Sequence, residues 1–213
     1  MLIYLSSYPR SGNTWMRHLL RHYFDQRATS IYPEGEESTN LIQNEDGSFD
    51  PYFSEYKSQY FPSITRRRLV NGCIPLLTEE FRSQMGASDE YFFLKTHELP
   101  YDRYFEGEYV LHLVRHPAAV LWSYYNFLRD FEATIAPNVT MEDTIKGQTP
   151  FGSWSAYNEQ WLECGQALGD RFWLYSYEKL VSGEGEFCKI LSSMTDLPIY
   201  QEIGSFPSFD HWH

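Results

Sequence analysis

Between Leu2 and Phe24 the chain passes from a strand pattern to a helix pattern across the turn Tyr8-Pro9-Arg10-Ser11-Gly12-Asn13-Thr14. Leu2 to Leu5 is a short apolar run rich in β-formers, as expected of a buried parallel strand. Trp15, Met16, Leu19, Leu20, Tyr23 and Phe24 recur at helical spacing and share one face. A glycine in the connecting turn lets the backbone curl tightly. The first N–H groups of the helix then point unpaired into the turn, and the positive end of the helix dipole adds to them. Such a turn is an anion site. Arg10 brings a permanent charge, and Ser11, Asn13 and Thr14 bring short polar groups. With one glycine and no following lysine, the stretch is neither a Walker A loop nor a G-x-G-x-x-G fingerprint.

The pattern repeats downstream. Residues 91–97 read as a second buried strand carrying Lys95 and His97, two residues apart and so on one side of it. Residues 109–114 form a third strand that delivers Arg115-His116-Pro117 to the same edge, and a helix over about 118–131 carries Ser123. Pro117 suits a first helical turn. Further helices are expected over 77–85 with Gly86 just past the end, over 141–146, from the Ser153 cap to Leu168, and over 185–195. A fourth strand is expected over 172–176, with Tyr177-Glu178-Lys179 at its end. Strands alternating with helices imply a single α/β domain over 1–213 with a central parallel sheet flanked by helices. In such sheets ligands gather at the carboxyl ends of the strands.

Charge narrows the function. With 17 basic and 29 acidic residues the net charge is −12, which disfavours a nucleic-acid binder. An acidic chain holds an anion only by concentrating its few cations, which singles out Arg10, Arg115 and Lys95. Cys73, Cys164 and Cys188 are far apart and odd in number, giving neither a disulfide framework nor a zinc site. They read as buried thiols in a reducing, cytoplasmic setting. No apolar run is long enough to span a membrane, and the initial one is too short for a signal peptide. Residues 28–70 lack periodicity and are rich in aromatic and turn residues. They read as a loop over the active face forming part of an acceptor pocket, or as a disordered surface loop. Arg66, Arg67 and Arg68 read as a solvated face. Asn138-Val139-Thr140 matches a glycosylation sequon, a motif common by chance.

Four segments in order, YPRSGNTW at 8–15, KTH at 95–97, VRHPAAVLWSYY at 114–125 and YEKL at 177–180, with FGSW at 151–154, resemble the cytosolic-type sulfotransferases that use 3′-phosphoadenosine 5′-phosphosulfate (PAPS). The resemblance spans nearly the whole chain. It implies P-loop NTPase-like topology and transfer of a sulfuryl group to a hydroxyl or amine of a small-molecule or glycan acceptor, without a metal. It assigns the 5′-phosphosulfate to Arg10, Ser11, Gly12, Asn13, Thr14 and Trp15, and the 3′-phosphate to Arg115 and Ser123. Trp15 and Tyr177 would meet the adenine. His97 would be the general base and Lys95 would help neutralise the transferring group. An imidazole titrating near about pH 6.5 is available as a base at neutral pH. Arg10 stands where the family often has lysine, Asn13 where threonine is common, and His116 where asparagine is common. The family's basic, glycine-containing C-terminal segment would begin about where this chain ends. Either the chain is a truncated or divergent member, or Arg115 and Ser123 manage alone. A non-catalytic module that binds PAPS or PAP (3′-phosphoadenosine 5′-phosphate) is the alternative, and a P-loop small-molecule kinase a weaker one. A homodimer stays open.

Overall fold

The computed structural model describes residues 1–30, 79–130, 138–149 and 151–206. Among these, five strands form one parallel sheet in the order β2-β3-β1-β4-β5. They are β1 (Leu2–Ser7), β2 (Ala28–Ser30), β3 (Phe92–Thr96), β4 (Glu108–Val114) and β5 (Phe172–Ser176). The helices are α1 (Asn13–Phe24), α2 (Glu79–Ala87), α3 (Pro117–Asp130), α4 (Met141–Lys146), α5 (Trp154–Leu168), α6 (Tyr177–Ser182) and α7 (Gly185–Thr195). This is the α/β arrangement, a central parallel sheet flanked by helices, expected from the alternation of patterns.

β1 lies at the centre, paired to β3 on one side and β4 on the other, so all six of its residues are buried. Strand alternation divides its side chains between two cores. Leu2 and Tyr4, with Phe92, Leu94 and Val110, pack against Met85, Val120, Tyr124, Tyr157 and Trp161 from α2, α3 and α5. Ile3 and Leu5, with Phe93, Leu111 and Leu113, pack against Met16, Leu19, Tyr23, Phe187 and Leu191 from α1 and α7. At the edge of the sheet away from the 8–14 turn, Arg82 of α2 meets Glu108 at 2.8 Å in a buried ion pair. Tyr4 donates to the same carboxylate at 2.6 Å.

The structure departs from the sequence reading in a few places. Residues 28–30 are a strand, β2, hydrogen-bonded along β3 (Ala28↔Phe93), where a loop was expected. Three residues are too few to show a period, and the pairing is supplied by β3. Tyr177–Ser182 is a helix, capped by the Ser176 hydroxyl accepting from the Lys179 N–H. α2 runs through Gly86, because that glycine answers a close backbone approach: a Cβ there would lie 2.7 Å from the Glu106 carbonyl oxygen. The expected helix starts at 77–78, the reading of residues 31–70 as a loop, Arg66 to Arg68, and Cys73 lie outside the described residues.

Candidate active site

The turn after β1 is built from backbone. Arg10 and Gly12 both adopt left-handed conformations, with φ of 67° and 100°. These are backbone ingredients of an anion-binding concavity. The Ser11 N–H donates to the Tyr8 carbonyl at 3.2 Å, closing the turn. No side chain caps α1 and no acidic residue lies in its first turn, so its positive end faces the turn uncompensated. Ser11 is buried, and its Oγ has no hydrogen-bond partner among the described residues. A buried hydroxyl without a partner costs free energy unless something else fills the role, which suits a bound anion at this turn.

Asn13 does a different job from the one expected. Its amide turns inward, donating to the Leu5 carbonyl at 2.8 Å and to the Ser7 Oγ at 3.2 Å. Its Nδ2 is thereby spent on tying the turn to the end of β1, while its Oδ1 is buried without a partner among the described residues. Thr14 is exposed and Trp15 is half-buried, its ring edge-on to Phe206 with centroids 4.8 Å apart.

The second strand–turn–helix unit meets the first. Arg10 Nε donates to the Ser123 Oγ at 3.2 Å, and Arg115 donates to the Arg10 carbonyl at 3.1 Å. The Arg115 guanidinium lies 4.4 Å from the Tyr177 ring centroid. Tyr177 in turn covers Gly12 so closely that a Cβ there would come within 2.2 Å of its ring. Glu178 holds this arrangement by accepting from the His116 N–H at 2.9 Å. Arg10, Gly12, Arg115, Ser123 and Tyr177 thus form one cluster although they are spread over more than 160 residues of sequence. No carboxylate pairs with Arg10 or Arg115 among the described residues. Desolvation and the neighbouring Arg115 lower the pKa of Arg10.

Lys95 lies on the α1 face of β3, buried, and desolvation together with Arg17 and Arg10 pushes its ammonium down to about 7. β3 ends at Thr96, so strand alternation does not govern His97. His97 instead turns its Nδ1 to the Ser7 carbonyl at 2.7 Å. A carbonyl can only accept, so Nδ1 carries a proton, and in the neutral ring Nε2 carries the lone pair. The ring of Phe151 stands edge-on to it at 5.9 Å. A second histidine could be mistaken for a catalytic one. His112 bridges the Ser6 Oγ at 2.8 Å and Asn158 Oδ1 at 3.0 Å. It is fully buried and stacked on Trp161, and burial pushes it down to about 4, so it is a neutral core residue.

The sequence reading missed Ser7, Glu178, Arg17 and Phe127, the last lying under Arg10 with the guanidinium 5.1 Å from its centroid. Ser7 could have been suspected, since it is the strand residue just before the anion turn. The others act across elements and leave no local signal.

Residues 2–184 match the sulfotransferase domain family. The chain belongs to that family. This sulfotransferase domain is similar in fold to mouse sulfotransferase SULT7A1, solved in complex with PAP, at 18% identity and a TM-score of 0.55, over 94% of this chain and 60% of that one. It also matches a retinol dehydratase in complex with retinol and PAP (17% identity, TM-score 0.46, 92% of this chain and 59% of that one). A third match is the sulfotransferase domain from the curacin biosynthetic pathway (19% identity, TM-score 0.48, 92% of this chain and 72% of that one). The sulfotransferase domain thus spans about 60% of the length of the mouse protein. A search of curated protein sequences returns no match. Among the described residues no helix is long and apolar enough to cross a membrane.

Proposed function

We propose that this chain transfers a sulfuryl group from PAPS to a hydroxyl or amine of a small-molecule or glycan acceptor, with His97 as general base. The observation that carries the reading is the meeting of Arg10, Arg115, Ser123 and Tyr177 around the uncapped start of α1. Two arginines with no carboxylate partner among the described residues, in a chain of net charge −12, suit a ligand with two separated phosphate-like groups. Arg115 and Ser123 would hold the 3′-phosphate, and the 10–15 turn the 5′-phosphosulfate. Trp15 and Tyr177 would flank the adenine. PAPS supplies the sulfuryl group as an activated anhydride. His97 Nε2 takes the acceptor proton while its Nδ1–H stays on the Ser7 carbonyl, which also steadies the imidazolium. Arg10 and the first N–H groups of α1 hold the charge that grows on the leaving phosphate oxygen, the logic of an oxyanion hole. Lys95 helps neutralise the transferring group. A cytoplasmic setting fits the free thiols of Cys164 and Cys188.

Calorimetric titration with PAP, with 5′-AMP as the control, tests this reading. PAP is expected to bind more tightly than 5′-AMP. Arg115→Ala is expected to weaken PAP at least about tenfold, the scale of a charged hydrogen bond, and to leave 5′-AMP nearly unchanged. Equal affinity for the two nucleotides would overturn the two-phosphate assignment.

Lys95 gives the binding a pH dependence. Its pKa is lowered to about 7, so the free site is increasingly neutral above that pH. A bound anion raises that pKa, so binding above it takes up a proton. Affinity for PAP is therefore expected to weaken as pH rises through about 7, by up to about tenfold per unit. Binding heats in buffers of different ionisation enthalpy read the proton directly. Lys95→Met should remove the uptake, and a wild-type uptake identical to that of Lys95→Met would exclude Lys95 from the phosphosulfate site.

A further inference from the structure

Tyr8 is the first residue after β1, and it is fully buried. Its ring stands edge-on between Tyr124 of α3, at 5.5 Å, and Tyr157 of α5, at 5.4 Å. Its hydroxyl donates to the Gly152 carbonyl at 2.8 Å. Desolvation pushes the phenol up to about 12, so it remains a donor throughout the neutral range. Gly152 is left-handed, with φ 69°. Its N–H closes a tight turn onto the Thr149 carbonyl at 3.0 Å. Ser153, next in the chain, caps α5. Phe151 sits inside this turn and presents its ring to His97.

Two of the groups that orient His97 therefore start from consecutive residues. Ser7 holds Nδ1 directly through its carbonyl. Tyr8 holds the turn that carries Phe151. Both residues immediately precede the Arg10–Gly12 turn. The donor side of the site and the base are thus referred to the same short piece of backbone.

We infer that Tyr8 is a positioning residue for sulfuryl transfer: its hydroxyl ties the 149–153 turn to the start of the anion turn, and so sets His97 relative to the bound sulfuryl donor. The inference rests on the function proposed above. A phenylalanine at this position would keep the three-ring packing. Among the described residues it would leave the Gly152 carbonyl with the Thr149 hydroxyl, at 3.4 Å. The requirement for tyrosine is therefore a requirement for the tether. Misplacing a general base by a fraction of an ångström lowers the rate without changing how the nucleotide is held.

Tyr8→Phe separates the tether from the packing. PAP affinity is measured by calorimetry, turnover with PAPS and 2-naphthol as the acceptor probe, and the His97 ring by long-range ¹⁵N–¹H NMR, with His97→Ala giving the assignment. The expected result is a PAP Kd within about twofold of wild type and a turnover lower by roughly five- to tenfold, the scale of one neutral hydrogen bond. The Nδ1–H tautomer of His97 should also lose population. Phe151→Leu, which leaves Tyr8 intact, is expected to shift the same His97 resonances and carries the test if Tyr8→Phe fails to fold. An unchanged His97 spectrum, or turnover and PAP affinity falling together, overturns the inference. If 2-naphthol is not accepted, the His97 spectrum decides. Absence of PAP binding by the wild-type chain is the separate failure of the proposed function.

Discussion

His97→Ala is expected to lower turnover by roughly 10²- to 10⁴-fold, the usual contribution of a positioned general base, while PAP binds within about twofold of wild type. The separation follows from where the side chain is anchored. The His97 ring reaches the Ser7 carbonyl and the Phe151 ring. The proposed nucleotide cluster is tied together elsewhere, by Arg10 to Ser123, Arg115 to the Arg10 carbonyl, and Glu178 to the His116 N–H. The anion turn itself is pinned by Asn13 to the Leu5 carbonyl and the Ser7 Oγ, of which only the Ser7 Oγ also lies near the imidazole, 3.5 Å from its Nδ1. Removing the ring therefore takes away a proton acceptor while the bonds within the Arg10–Arg115 cluster stay in place. Turnover and PAP titration on the same preparation check this. Parallel loss of both would mean that the imidazole supports the loop, and His97 would no longer be assigned as the base.

Gly12→Ala should do the reverse and act on binding first. The φ of 100° at Gly12 is a conformation that a residue with a Cβ adopts at a cost of roughly 1–2 kcal/mol. The new methyl would also stand 2.2 Å from the Tyr177 ring, well inside contact distance. Tyr177 cannot remain where it is. Its displacement removes the ring from beneath Arg115, a cation–π contact worth about 0.5–1 kcal/mol at a partly exposed site. The backbone turn, the aromatic platform and the second arginine are therefore disturbed by one methyl group. PAP affinity is expected to fall by roughly 30- to 150-fold, or about 2–3 kcal/mol. Calorimetry measures the loss, and near-UV circular dichroism checks that the cores are intact. An alanine variant binding PAP like wild type would mean that the close packing of Tyr177 on Gly12 plays no part in holding the nucleotide.

The frame of this site was readable in the sequence where local pattern and chemistry coincide. Pro117 opens α3, Ser153 caps α5 and Gly169 stops it, each because the residue has a conformational property that needs no distant partner. The two arginines could be paired on paper because each follows a strand that must end at the same sheet edge. Side-chain direction was not legible in the same way. Asn13 looks like a ligand-facing polar group, yet the end of β1 offers it a buried carbonyl and hydroxyl, and its amide satisfies both by turning inward. Lys95 and His97 look like neighbours on one strand face, but β3 stops between them. β2 has no pattern of its own, because its existence depends on β3, more than sixty residues away. Glu178 is invisible for a related reason: its role is set by the turn after β4, which it meets only in the folded chain.

The central place of β1 also has a consequence for the order in which the molecule assembles. Its first residue, Leu2, pairs with Phe92 on one side and Glu108 on the other. Within this sheet β1 is made before the strands it pairs with, which arrive about a hundred residues later, and closing loops of that length is slow compared with forming α1 alone. During that wait its apolar face is an exposed edge, the kind of surface that chaperones cover and that associates wrongly in their absence. The Arg10–Arg115 cluster cannot exist before β4 has docked against β1. Gain of PAP binding during refolding would therefore report a late event, the completion of the sheet, rather than the formation of α1, whose start is the proposed anion site.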